Sequence, residues 1–197
     1  MTTRFEHAYV INILSDDHPG IVAAVGNAVG HLGGNIDSCS QTVLGGFFTL
    51  IMIVSMPDDL ETDALCEEVR RQEAGGSDLQ VMARKMNGDD QSQAPETDRF
   101  IITAFGKDTQ GVVLRFSRYL ASKDVNIVDL FGKLSDGEFM LISEVDIPRR
   151  WNLDMLQADL EEMGREMGFT VRLQHENIFV ATNQLRLPAR PGDKRGN

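Results

Sequence analysis

Apolar residues run almost unbroken from Tyr9 through Leu14, and the apolar positions Ile21, Val25, Val29 and Leu32 then recur at three- and four-residue spacing. The first pattern predicts a strand over residues 8 to 15, the second a helix over 20 to 32. Gly33-Gly34 suits a left-handed cap on that helix. Asn35–Leu44 reads as a second strand, and Gly45-Gly46 as a two-residue hairpin turn, since consecutive glycines accept positive φ. Phe47–Met56 is apolar nearly throughout, which predicts a third strand covered on both faces and ended by Pro57. Residues 58 to about 74 read as a helix with Leu65 and Val69 inward and acids outward, and 77 to 86 as a fourth strand.

Residues 87 to 97 hold, Pro95 apart, no apolar side chain larger than alanine and read as a solvated linker. Beyond it the pattern restarts with a strand over 99 to 105, then a helix over 111 to 123 with Val112, Val113, Phe116 and Leu120 inward. A strand over 125 to 135, an Asp136-Gly137 turn and a strand over 138 to 147 closed by Pro148 follow. Leu153, Leu156, Leu160, Met163 and Met167 mark another helix, and 169 to 173 a last strand. A constant offset of 91 pairs Gly20 with Gly111, Asn35 with Asn126, Phe48 with Phe139 and Pro57 with Pro148, so the chain is a duplication.

Each repeat is therefore expected to be α+β: a ferredoxin-like βαββαβ unit, a four-stranded antiparallel sheet with two helices on one face. The first and third strands are central, and the more polar second strand, with Ser38, Ser40, Gln41 and Thr42, lies at an edge. The other face of each sheet needs a cover, and the second repeat is the nearest candidate for the first. The expected domains are 6–86 and 98–174, joined by the 87–97 linker. A helical extension over 175–185 docks back on them, and 186–197, with two prolines, four bases and one acid, forms a disordered tail.

The 197 residues carry a formal charge of -11. Residues 1 to 90 hold 14 acids against 5 bases, and residues 98 to 185 hold 14 against 10, so neither repeat is a basic module for direct nucleic-acid binding. No apolar stretch is long enough to span a bilayer, and the first residues do not form a signal peptide; a soluble, cytoplasmic chain is expected. Cys39 and Cys66 lack metal or redox spacing and read as small buried or half-buried residues, and the four histidines are scattered. No metal site, cofactor motif or catalytic constellation is present in the pattern, and the acid-rich stretch 58–68 reads as a solvated helix face.

What remains is the turn between strand and helix, Asp17-His18-Pro19-Gly20, repeated as Asp108-Thr109-Gln110-Gly111. The first turn of a helix carries N–H groups without intrahelical acceptors and the positive end of the macrodipole, so it can hold a carboxylate without a basic side chain. None is available nearby, because residues 5 to 69 contain no Arg or Lys. Asp17 and Asp108 are placed to act as helix N-caps, a role favoured slightly over ligand contact. Asn35, fifteen residues past Gly20, is expected to approach the turn, where its amide suits both ends of a zwitterion, and Asn126 recurs fifteen residues past Gly111. Ile21, Val22 and Ile36 favour a small uncharged ligand side chain, with glycine or serine expected.

The duplicated pattern, with Asp17-His18-Pro19-Gly20-Ile21-Val22 and Gly34-Asn35-Ile36, resembles the ACT domain over roughly residues 6–86 and 98–174. Two such domains without an enzyme domain, and the ending Gln174-His175-Glu176-Asn177-Ile178-Phe179, are similar to the glycine cleavage system transcriptional repressor group. The resemblance implies a non-catalytic amino-acid-sensing regulator acting through a protein partner such as a transcription factor, with homo-oligomers in reach. It also implies ligands held between ACT units by the loop after the first strand and the start of the second: Asp17, His18, Pro19, Gly20 and Asn35, and Asp108, Thr109, Gln110, Gly111 and Asn126. The second repeat departs from the motif, with Thr109-Gln110 for His18-Pro19 and Asp124-Val125 for Gly33-Gly34. Similarity to the ACT portion of formyltetrahydrofolate deformylases keeps open a second role, the regulatory subunit of an amino-acid or one-carbon enzyme.

Overall fold

The computed structural model of the chain describes residues 3–72, 79–86 and 96–183. The first repeat runs β1 (His7–Asp16), α1 (Ile21–His31), β2 (Asn35–Leu44), β3 (Phe47–Met56), α2 (Thr62–Gln72) and β4 (Gln80–Lys85). The second runs β5 (Thr97–Lys107), α3 (Val112–Ser122), β6 (Asn126–Ser135), β7 (Glu138–Pro148), α4 (Leu153–Met167) and β8 (Phe169–His175), followed by α5 (Glu176–Asn183). The chain divides into two compact units, one per repeat. The sheets have the order β2-β3-β1-β4 and β6-β7-β5-β8, all pairs antiparallel, so the apolar first and third strands of each repeat are central as the pattern predicted.

Each unit has its own core. In the first, Tyr9, Ile11 and Ile13 of β1 and the alternating residues Leu50, Met52 and Val54 of β3 point to the same side and meet Val25 and Val29 of α1 and Leu65 and Val69 of α2. In the second, Ile102, Ala104, Leu141 and Val145 meet Phe116, Leu120, Leu156 and Leu160. This period-two burial against a period of three and four is what turns the sequence pattern into a sheet with helices on one face.

Several boundaries differ from the pattern for identifiable reasons. Helix α2 begins at Thr62, because the buried Tyr9 hydroxyl accepts from Leu60 N–H at 2.7 Å and contacts Asp59 Oδ1 at 2.9 Å, which holds that segment outside the helix. Strand β5 opens at Thr97, inside the stretch read as linker, where Thr97 pairs with Pro148 and Arg149 N–H donates to Glu96 O at 3.0 Å. The rest of that linker, residues 73, 74, 77 and 78 of the second helix and fourth strand, and the 186–197 tail lie outside the described residues. Helix α5 takes most of the 175–185 extension and lies against β5 and β8 of its own unit. On the face of β3 away from the helices, Phe47 and Ile51 are 58% and 46% exposed. Val113, read as inward, is likewise exposed, and Cys39 is exposed where half-burial was expected.

Candidate ligand-binding site

At the top of β1 the chain turns at Asp17-His18-Pro19 and enters α1 through Gly20, whose φ of 108° and ψ of -17° make it the N-cap in a left-handed conformation. Gly111 does the same before α3, with φ 88° and ψ 9°. No side chain caps either helix. The N-cap role expected of Asp17 and Asp108 is thereby overturned: glycine, able to adopt positive φ, takes the cap three residues downstream. The first helical bonds are Ala24 N–H to Gly20 O and Arg115 N–H to Gly111 O, both 2.9 Å, so the preceding N–H groups of each helix have no intrahelical acceptor.

The loop is fixed from the other side by the hairpin between the second and third strands. Asp17 N–H donates to Gly46 O at 2.9 Å, and Asp108 N–H to Gly137 O at 3.0 Å. Both hairpin turns have positive φ at both central residues, 62° and 88° at Gly45-Gly46 and 53° and 81° at Asp136-Gly137, as two-residue turns require. His18 Nδ1 lies 3.1 Å from the Pro19 carbonyl, and Thr109 Oγ1 donates to Lys107 O at 3.1 Å.

In the first repeat the loop and helix start line an open depression of about 390 Å³ with Asp17, His18, Pro19, Gly20, Ile21, Val22 and Ala23 on one side. Gln41 of β2 and Phe48 of β3 complete it. The structure thus brings together the four loop residues picked out from the sequence and adds Gln41, which the sequence pattern did not single out. Gln41 reaches this face because a β-bulge between Ile36 and Ser38 shifts the register, so that Cys39, Gln41 and Val43 share the helix side with Met52, Leu50 and Phe48. Strict alternation from Ile36 would have put them on the opposite face.

Asn35 and Ile36 do not join the depression within their own unit. Asn35 pairs with Ser55 and Leu44 with Phe47, so Asn35 and the loop stand at opposite ends of the sheet, roughly 30 Å apart along a ten-residue strand. Asn126, opposite Asp146, is likewise at the far end from Gly111. Asn35 Nδ2 donates to Asp37 Oδ1 at 2.8 Å, and Arg4 N–H reaches the same oxygen at 3.0 Å. Burial raises the Asp37 pKa, but the neighbouring Ser55 hydroxyl and the donors of Arg4 and Asn35 outweigh it and hold the carboxyl below its ordinary range, although its Oδ2 is buried without a hydrogen-bond partner among the described residues. In the second repeat Val128 stands in the bulge at that position, so Asn126 has no equivalent carboxylate.

Two βαββαβ units, each with a hairpin-pinned glycine turn at the start of its first helix, define a tandem ferredoxin-like α+β chain. The chain belongs to the ACT domain family, whose model matches residues 7–82 and again 98–174. A UPF0237 protein from Methanosarcina acetivorans is 36% identical over 84 residues, 42% of this chain and 91% of that one, and one from Listeria innocua 33% identical over 88 residues, 44% and 99%. These relatives are each about one repeat long. Among solved structures, an unknown protein from Galdieria sulphuraria superposes with a TM-score of 0.72 at 23% identity, covering 86% of this chain and 98% of that one. A candidate glycine cleavage system transcriptional repressor superposes at 0.57 and 18% identity over the same shares. At these identities the two structures speak to the fold alone. Among the described residues no helix is long and apolar enough to cross a membrane, and no group of three or more His, Cys, Asp or Glu is placed to hold a metal.

Proposed function

We propose that the chain is a non-catalytic amino-acid-sensing regulator of glycine or one-carbon metabolism that acts through a protein partner such as a transcription factor. The observation that carries this reading is the first-repeat depression, where a hairpin-pinned loop presents the start of α1 in a segment without lysine or arginine. An α-carboxylate fits the N–H groups at the helix start, and Ile21 and Val22 beside it favour a small uncharged amino acid such as glycine or serine. Membership of the ACT family supports the regulatory role, and the tandem architecture shared with the candidate glycine cleavage repressor supports the metabolic context.

Asn35 belongs to this site only if another ACT unit supplies it. Strand β2 is an unpaired sheet edge whose residues are largely exposed and which carries no charge other than Asp37. Antiparallel pairing with β2 of a second copy sets Asn35 of one copy beside the loop end of the other, so the sensing form is a homodimer that closes on its ligand. A thermal-shift screen with the twenty amino acids tests the reading. A ligand at 100 times its dissociation constant stabilises by about 2.7 kcal/mol. No shift with any of them removes the sensing role, and co-purification with a catalytic chain instead of a transcription factor points to the regulatory subunit of an enzyme.

A further inference from the structure

We infer that the two repeats have parted, so that only the first takes the amino acid, and that Gln41 is the residue that selects it. This rests on the sensing role above and adds which repeat serves it and what side chain it reads. At the constant offset of 91, Gln41 corresponds to Gly132, and Phe48 to Phe139. In the first repeat the Phe48 ring is buried, 3% exposed, and the Gln41 side chain stands exposed at the rim of the depression, facing the loop.

In the second repeat the aromatic ring has taken the amide's place. Phe139 is half-buried and lies diagonally across the strand pair from Gly132, since Gly132 pairs with Leu141 and Leu134 with Phe139. A Cβ added to Gly132 would stand 2.9 Å from Phe139 Cζ, closer than carbon atoms approach. No side chain fits at 132 while the ring sits there. The second repeat also has Thr109-Gln110 for His18-Pro19 in the loop. The same backbone frame therefore offers a polar group beside the helix start in one repeat and an aromatic face in the other.

A ligand whose carboxylate meets the N–H groups of Ile21 to Ala23 turns its side chain toward β2. There the Gln41 amide can both donate and accept, which matches a hydroxyl. Serine is thus preferred over alanine, which has its size without the hydroxyl.

Calorimetry of the full chain with L-serine and L-alanine tests this. One serine binds per chain, alanine binds about tenfold more weakly, and Gln41→Leu abolishes that preference, so that serine and alanine bind alike. Phe139→Leu leaves stoichiometry and affinity unaltered. Thermal unfolding of each variant confirms that it folds. Two serines per chain, a serine preference that survives Gln41→Leu, or binding of another amino acid in place of serine overturns the inference while keeping the sensing role. Binding of none of the twenty amino acids by the wild-type chain overturns both.

Discussion

Gly33 and Asp124 show how one backbone position was solved twice. Both follow the first helix of their repeat and both take positive φ, 70° and 54°. In the first repeat Gly33 N–H donates to Gly30 O and Gly34 N–H to Val29 O, closing the helix end; in the second, Asp124 N–H and Val125 N–H donate to Ala121 O and Leu120 O. An L side chain is strained there, least so for Asp and Asn. Gly33→Ala is therefore expected to cost about 1–2 kcal/mol. Asp124→Gly is expected to be neutral or mildly stabilising, because the ion pair it loses with Arg150 is exposed and worth under about 1 kcal/mol. Urea midpoints of the two variants check this, and a larger loss in Asp124→Gly than in Gly33→Ala would contradict it. A second prediction at this scale concerns Asp37, whose folded pKa lies below its unfolded one. Such a group binds more protons in the unfolded chain, so its stabilisation is present above the ordinary aspartate pKa and is lost as pH falls through the lower folded value. Asp37→Asn should lower stability at pH 7 and flatten the acid limb of urea midpoints measured from pH 7 to pH 3. An unchanged acid limb would show that the network of Asn35, Ser55 and the Arg4 backbone does not depend on the charge.

The elements were legible where a local cause decides them. Apolar runs gave β1 and β3, three- and four-residue spacing gave α1 and α4, and the Gly-Gly and Asp-Gly turns gave both hairpins. The loop residues were legible for the same reason, since a strand, a glycine and a helical pattern are consecutive in the chain. The start of α2 was not, because a hydroxyl fifty residues away on β1 decides it. Gln41 was not either, because the bulge at Asp37 inverts the alternation and a bulge leaves no periodic signal. Nor could sequence spacing tell that fifteen residues from Gly20 to Asn35 carry the chain to the other end of the sheet. The hairpin is also where the duplication makes an element-level prediction. Asp136 occupies the place of Gly45 with the same sign of φ, 53° against 62°. Gly45→Asp should therefore keep the turn and the Asp17 N–H to Gly46 O bond, with a stability change within about 0.5 kcal/mol. Gly46→Val, a branched residue forced to positive φ, should cost about 1–3 kcal/mol. It should also loosen the loop, seen as faster hydrogen exchange of the Asp17 amide. Equal effects of the two substitutions would show that the turn does not set the loop.

The whole molecule carries -11 charges, and the arrangement of its bases matters more than their number. Among the described residues, Arg71 pairs with Glu68, Lys85 with Asp59, Arg115 with Glu166 and Lys123 with Asp159. Arg99 bridges Glu144 and Asp146, and Arg149 bridges Glu96 and Asp98. Each pair places a carboxylate where a DNA phosphate would have to approach, so binding would replace one anion by another and release little from the counterion atmosphere. On the regulatory role proposed above, this charge balance calls for a partner that supplies the basic contacts. Purified protein is accordingly expected to leave duplex DNA unshifted in gels run at 50 mM salt, where phosphate contacts are at their strongest, with or without serine. A shift that weakens steeply between 50 and 200 mM salt would reveal a set of phosphate contacts and place the protein on the DNA itself.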